Sequence, residues 1–139
     1  MARQHVSPDY AQLLRFRTGL RAFLHWSEGQ AAQQGLTGPQ HQLLLAVKGH
    51  VAVEGTAPSI GEVADYLMLR HHSTVELINR TVAKGLVLRT PDAGDRRLVR
   101  LALTEKGEAL LAALSHSHEE ELRRLAALLP HADTAAEGL

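Results

Sequence analysis

A change in the spacing of apolar residues at Gly85 constrains the fold more than any other feature of this sequence. The apolar residues before it recur at helical spacing: Val75, Ile78 and Val82. After it, residues 86–90 are strand-forming, residues 91–95 are turn-forming, and residues 99–103 alternate in polarity or side-chain size. The sequence therefore predicts a helix that ends at Gly85 and passes directly into a β-hairpin.

Helix-start signals precede this region. Residues 37–40 are Thr-Gly-Pro-Gln and residues 59–62 are Ser-Ile-Gly-Glu, and both are capping boxes, in which side chains satisfy the amides of the first helical turn. Apolar residues at helical spacing from residue 10 to about residue 33 predict a long amphipathic first helix, closed by Gly35. Residues 43–47 are apolar all round and are expected to be buried.

Another helical stretch follows the hairpin, with Thr104 as its expected N-cap. Its apolar residues are Leu110, Leu111, Leu114, Leu122, Leu125 and Leu129. Residues 115–118 predict a bend, Pro130 should stop the helix, and residues 131–139 are expected to form a loose tail. This order of elements predicts a mainly α fold with a small β-hairpin wing, the winged helix-turn-helix.

The composition excludes several classes of protein. At 139 residues, the chain is long enough for one core, so residues 1–139 are treated as a single domain. It has no cysteine, and its apolar runs fall far short of the roughly 20 residues that a membrane helix needs. With no secretory signal visible, we expect a cytoplasmic protein. No nucleophile elbow, phosphate loop or paired-carboxylate motif predicts an enzyme, and no cofactor is expected.

The net charge is zero, but the charges are unevenly distributed. From Arg70 to Arg100 there are seven bases and three acids, whereas the last 39 residues carry three bases and seven acids. Because affinity for nucleic acid rests largely on the neutralisation of phosphates, the middle of the chain is the part that suits DNA.

Three stretches of the sequence, residues 36–41, 59–67 and 80–107, resemble the multiple-antibiotic-resistance regulator (MarR) family. The most specific part is Asp95-x-Arg97, then an alternating strand and Leu103-Thr104-x-x-Gly107, at the expected distance after Lys-Gly-Leu-Val at 84–87. The resemblance spans roughly residues 10–130. It implies a sequence-specific, double-stranded DNA-binding transcription regulator, with repression as the expected sign.

The same resemblance implies a homodimer joined by helices at 8–35 and 105–130, with a winged helix-turn-helix lobe at 37–104. The dimer would act on a near-palindromic operator and could be released by a small aromatic or acidic ligand. In this family the wing arginine enters the minor groove while an aspartate holds it, which assigns these roles to Arg97 and Asp95, assisted by Arg96. The alternative is an exposed hairpin made soluble by its charges.

The start of the recognition helix supplies the other candidate DNA contacts: Arg70, His71, His72, Ser73 and Thr74. The two histidines depart from the small or basic residues usual in the family, and one of them could instead pack on the core. Glu76 would repel phosphate unless it accepts from a cytosine amino group. Arg80 is expected to contact a phosphate or to form an intramolecular ion pair.

A ligand site is predicted at His25, Trp26 and His41, because the family's pocket between the lobes would be lined there. Ordinary packing at a dimer interface is the alternative. The nine histidines also suggest the hypothesis of a zinc-responsive regulator, with His116, Glu119 or Glu120 and His41 as ligands. The spacing of these residues is poor for a metal site, and no metal is predicted. A winged-helix protein-interaction module without DNA binding is the alternative function, since the net charge is zero.

Overall fold

The computed structural model describes residues 7–128, except for the side chain of His118. In chain order its elements are α1 Tyr10–Gln33, α2 Gly38–Glu54, α3 Ile60–Leu67, α4 His71–Ala83, β1 Val87–Pro91, β2 Val99–Leu103, α5 Glu105–Leu114, a 3₁₀ turn Ser115–Ser117, and α6 His118–Ala126. The mainly helical fold with one hairpin is confirmed. The predictions on Leu129, on Pro130 and on the tail 131–139 lie outside the described residues.

The chain divides into two compact units. One, which we call the lobe, is Glu28–His116; the other, the end unit, comprises residues 7–27 and 117–128 of the described chain. The division predicted from sequence, with helices at 8–35 and 105–130 around a lobe at 37–104, stays a prediction.

Capping interactions start three helices of the lobe where the sequence predicts them. Thr37 and Ser59 each accept a hydrogen bond from the amide three residues on, at 3.2 Å, and both capping boxes are complete. Thr104 accepts from the amide of Gly107 at 3.0 Å. These bonds satisfy amides that have no partner within a helix, which explains why the chain turns helical at these points.

The hairpin follows α4 directly, as predicted. Gly85 takes the left-handed conformation (φ 74°) that closes the helix, and β1 pairs antiparallel with β2 from Val87 opposite Leu103 to Pro91 opposite Val99. The first strand begins one residue later than the prediction of 86–90, because Leu86 lies in the connection and is buried in the core.

The core lies within the lobe and is formed by residues of every helix and strand that the lobe contains: Ala31, Leu36, Leu43, Leu44, Val47, Val63, Leu77, Ile78, Leu86, Val87, Leu101, Leu111 and Leu114. Burial of the whole run 43–47 is wrong in part, since Leu45 is 43% exposed. A single surface helix cannot bury all its faces at once.

The buried face of α4 differs in part from the predicted one, although Ile78 is buried as predicted. Its fully or nearly buried residues are Thr74, Leu77, Ile78 and Thr81, whereas Val75 and Val82 are only half-buried. Each threonine hydroxyl donates to the carbonyl four residues earlier, Thr74 to Arg70 at 2.9 Å and Thr81 to Leu77 at 2.7 Å. With its hydroxyl satisfied in this way, threonine packs like a small apolar residue.

In the end unit, Phe23 and Trp26 pack with ring centroids 5.9 Å apart, and the Arg124 guanidinium lies 4.5 Å from the centre of the Trp26 ring. A 3₁₀ turn at Ser115–Ser117 separates α5 from α6 within the stretch 115–118, and the bend predicted there stays a prediction. Among residues 7–128, no helix combines the length and apolarity needed to span a bilayer.

Candidate nucleic-acid interface

Helices α3 and α4 are joined by a three-residue turn. The turn starts at Met68, whose left-handed conformation (φ 54°, ψ 41°) reverses the chain at the end of α3. Arg70 then serves as the N-cap residue of α4. Because α4 packs on the core through its threonine-containing face, its opposite face is left open to solvent.

The first turn of α4 presents only part of the predicted contact set. Arg70, His71 and His72 are exposed and Ser73 is half-buried. Thr74 is wrong as a side-chain contact, because it has no exposed surface and its hydroxyl is bonded to Arg70. No local sequence signal distinguishes a buried threonine from an exposed one at this position, because its hydroxyl bonds within its own helix.

Farther along α4, the exposed charges pair with one another. Arg80 lies 3.7 Å from Glu76, one helical turn earlier, with both side chains about two-thirds exposed. This is the intramolecular ion pair that is one of the two predictions for Arg80. Such an exposed pair contributes little to stability and can open to meet a phosphate. Asn79 accepts from Arg89 of β1, which connects α4 with the hairpin.

At the tip of the hairpin, Arg97 is 93% exposed and is oriented by Asp95. One carboxylate oxygen of Asp95 accepts from the Arg97 backbone amide at 3.0 Å and from its guanidinium Nε at 3.4 Å. Arg96 is also exposed. The pairing predicted between the aspartate and the arginine of this motif is therefore present, whereas contact of either residue with DNA stays a prediction.

Sequence reasoning missed the role of Asp92 and Arg100. Asp92 accepts from the amides of Gly94 and Asp95, at 3.0 and 2.9 Å, and so shapes the hairpin turn. Its other oxygen accepts from Arg100 Nε at 2.8 Å. The hydrogen bond from Arg100 and then those two amides hold the pKa of Asp92 below its ordinary value of 3.8.

Arg100 extends this network back to α3. It donates to the carbonyl of Ala57 at 2.9 Å and lies 3.5 Å from Glu62, the capping-box carboxylate of α3. Glu62 also contacts His50 of α2, at 3.2 Å. The Ser59 amide that Glu62 caps is the main cause that lowers the pKa of Glu62 from 4.5, with smaller contributions from His50 and Arg100.

His50 is buried, with 4% of its side chain exposed. Its Nδ1 lies 2.9 Å from the hydroxyl of Tyr66. Nε2 of the same ring lies 3.2 Å from the Glu62 carboxylate, so the two ring nitrogens face a hydroxyl and a carboxylate. A cavity of about 320 Å³ beside these residues is also lined by Glu54 and Asp65.

The predicted ligand site is distributed over both units. His25 is exposed and Trp26 half-buried in the end unit, and His41 is buried in the lobe. The ligand site therefore stays a prediction. Within the described residues, no three histidine and carboxylate side chains form a group that could hold a metal ion.

Part of the sequence of this chain matches known transcription regulators. A model of the MarR family matches residues 34–98. The HTH-type transcriptional regulator YsmB of Bacillus subtilis is 35% identical over 65 residues, 47% of this chain and 44% of YsmB, so the chain matches less than half of that relative's length.

Solved structures share the fold. AbsC, a MarR family transcriptional regulator from Streptomyces coelicolor, is 22% identical, with a TM-score of 0.77 over 99% of this chain and 92% of AbsC. MepR of S. aureus, solved as a complex with DNA, is 20% identical, with a TM-score of 0.70 over 95% of this chain and 93% of MepR.

Proposed function

We propose that this chain is a regulator of the MarR family, whose model matches residues 34–98, and that it controls transcription by binding double-stranded operator DNA as a homodimer. The observation that carries the proposal is the exposed wing arginine, Arg97, held by Asp95 on the same lobe as the open first turn of α4. In this proposal, α4 enters the major groove and Arg97 the adjacent minor groove. MepR, which has this fold, was solved with DNA.

Not all of the bases between Arg70 and Arg100 are available for contact with DNA. Several bases between Arg70 and Arg100 are engaged within the lobe: Lys84 donates to the carbonyl of Gly35 and to Gln40, both at 2.9 Å, and Arg100 binds Asp92. Arg70, Arg96 and Arg97 are exposed. These three are the bases we assign to phosphate and minor-groove contact.

Dimerisation is supported by the apolar surface of α1. Tyr10, Leu13, Leu14 and Leu24 are all at least half exposed in the single chain. An apolar surface of this kind marks an interaction site, and a second copy of the same helix would cover it with matching residues. Sedimentation equilibrium of the wild type and of Leu14→Glu tests this: the wild type should be a dimer and the variant should dissociate more readily.

The test of DNA binding compares Arg97→Ala with Lys48→Ala. Lys48 is an exposed base of α2 that pairs with Glu108, and it belongs neither to the proposed DNA contacts nor to the helices predicted to form the dimer. Fluorescence anisotropy at fixed salt on the operator, obtained by DNA selection, should show at least about a tenfold loss for Arg97→Ala. Lys48→Ala should bind like the wild type. Unchanged affinity of Arg97→Ala would refute the wing assignment.

Salt dependence separates this function from a protein-interaction module. Neutralisation of phosphates makes the logarithm of the binding constant fall with the logarithm of the salt concentration, by about 0.9 per phosphate contact. A steep slope on mixed genomic DNA supports the proposal. A protein that binds no DNA at 50 mM salt, a concentration at which such contacts are strong, would contradict it.

The proposal includes a site for a small aromatic or acidic effector at His25 and Trp26 of the end unit. Arg124, stacked on Trp26, supplies a cation that suits a carboxylate ligand. Thermal-shift measurements with aromatic acids, and separately with zinc, test this site. No shift with either would favour a regulator that acts without a ligand.

A further inference from the structure

A chain of polar contacts runs through the lobe from buried His50 to the tip of the wing. It passes from His50 to Glu62, then to Arg100 and to Asp92, which shapes the turn that carries Asp95 and Arg97. We propose that Glu62, Arg100 and Asp92 are positioning residues: they hold the wing relative to the helix-turn-helix so that Arg97 reaches DNA, and they do not contact DNA themselves. This inference rests on the proposed function.

Arg100 is the centre of the chain. Its guanidinium joins three separate segments: the loop before α3 through the Ala57 carbonyl, the first turn of α3 through Glu62, and the wing turn through Asp92. Only 26% of its side chain is exposed. The planar fork of arginine can hold several acceptors in fixed directions, which the single ammonium of lysine cannot do.

Asp92 transmits this anchoring to the tip. One of its oxygens binds Arg100, and the other accepts from the amides of Gly94 and Asp95. The amide of Asp95 is thus held by one carboxylate while the Asp95 side chain holds Arg97. A displacement of Asp92 therefore alters the backbone from which Arg97 projects.

The other end of the chain is anchored in the helix-turn-helix. Glu62 is held by the Ser59 amide at 3.0 Å and by His50, which is buried. A backbone hydrogen bond from the Leu101 amide to the Pro58 carbonyl, at 2.9 Å, joins β2 to the loop that precedes α3. The wing is therefore fastened to the start of α3 by side chains as well as by backbone.

The sign of the effect on DNA binding tests this role. Removal of a carboxylate near phosphates should strengthen binding by simple electrostatics. A positioning role predicts the opposite for Asp92→Asn, because the neutral amide loses the charge-assisted bond to Arg100 and the turn loosens. We expect affinity for the operator to fall about fivefold to tenfold, the loss typical of one charge-assisted contact.

The experiment is a double-mutant cycle on the full-length protein, with operator affinity measured for the wild type, Asp92→Asn, Arg97→Ala and the double variant. If Asp92 acts through Arg97, the double variant should bind within about twofold of Arg97→Ala alone. Asp65→Asn is the matched control, since Asp65 is an exposed carboxylate of α3, and it should bind as well as the wild type or more tightly.

Arg100→Lys provides a second arm. It keeps the charge, so a phosphate-contact role predicts unchanged affinity, whereas a positioning role predicts a loss similar to that of Asp92→Asn. Thermal unfolding verifies that each variant is folded. The inference is overturned if Asp92→Asn binds as well as the wild type, if its loss adds fully to that of Arg97→Ala, or if Arg100→Lys binds normally. Failure of the proposed function looks different, because Arg97→Ala alone would then leave DNA binding unchanged.

Discussion

Gly107 is the glycine of the lobe that lies closest to the backbone of another segment, so its replacement by alanine tests how α5 packs. Gly107 lies in the first turn of α5, and a Cβ atom added there would lie 2.1 Å from the carbonyl oxygen of Leu86 and 3.1 Å from its carbon. Both neighbours are backbone atoms, so no side chain can move aside. Gly107→Ala must push α5 away from the connection between α4 and β1.

The expected cost follows from the bonds at this junction. The Leu86 carbonyl accepts from the Thr104 amide at 3.0 Å, and the Thr104 hydroxyl donates to Gly85 at 2.6 Å. Overpacking costs about 1–3 kcal/mol, and weakening of two hydrogen bonds adds about 1–2 kcal/mol. Alanine recovers about 1 kcal/mol through its better helix propensity. The net loss in the free energy of unfolding should be about 1–4 kcal/mol.

Urea unfolding followed by circular dichroism, at one fixed protein concentration, measures this loss. Gly49→Ala is the control, because Gly49 lies inside α2 and an added Cβ would meet nothing within 4 Å. It should raise the free energy of unfolding by about 0.5–1 kcal/mol. Opposite signs for two substitutions of the same kind would support the close packing of α5 on the Leu86 backbone. If Gly107→Ala is as stable as the wild type or more so, the close approach of α5 to Leu86 is refuted.

Three further predictions test other parts of the lobe. Thr74→Val should leave operator affinity within about twofold and cost about 1 kcal/mol of stability, since the buried hydroxyl only bonds to Arg70; a large loss of affinity by anisotropy at unchanged stability would contradict its burial. Met68→Gly should stabilise the protein by about 0.5 kcal/mol in urea unfolding, because relief of the left-handed conformation (φ 54°) outweighs the added entropy of the unfolded chain; a loss of stability would count against that conformation. Glu62 and Asp92 have pKa values below 4.5 and 3.8, so their contribution to stability is complete above those values and is lost as the pH falls through their lower folded-state pKa values. Between pH 5 and pH 3, the free energy of unfolding measured with urea should therefore fall less for Glu62→Gln than for the wild type. An equal fall in the two proteins would contradict the ion-pair network.

Features that depend on neighbours within a few residues were predictable from the sequence. The capping boxes at 37–40 and 59–62, the N-cap Thr104 and the hairpin after Gly85 were all found because each signal acts over three or four residues. The pairing of Asp95 with Arg97 is equally local, since the two residues are separated by one position.

Helix faces were harder to predict than helix positions. The sequence pattern placed Val75 on the buried face of α4, yet Thr74 is the fully buried residue and Val75 is half-buried. An error of one residue in the predicted phase of a helix changes which side chains meet the core. A threonine whose hydroxyl bonds to its own helix can also be buried, so its polarity does not predict exposure. The same limit explains Leu45, which is apolar but lies on the exposed face of α2.

The order of the elements and the wing motif can be predicted from the sequence, because capping, turn chemistry and periodicity are short-range properties. Which charges remain available depends instead on tertiary packing. Arg100 meets Ala57 and Glu62, which lie about forty positions earlier in the chain, and no local pattern encodes such a contact. The close approach of Gly107 to Leu86 was likewise decided by packing. Because of these tertiary contacts, Arg100 is bound to Asp92 and anchors the wing, whereas Arg97 stays exposed at the tip of the hairpin.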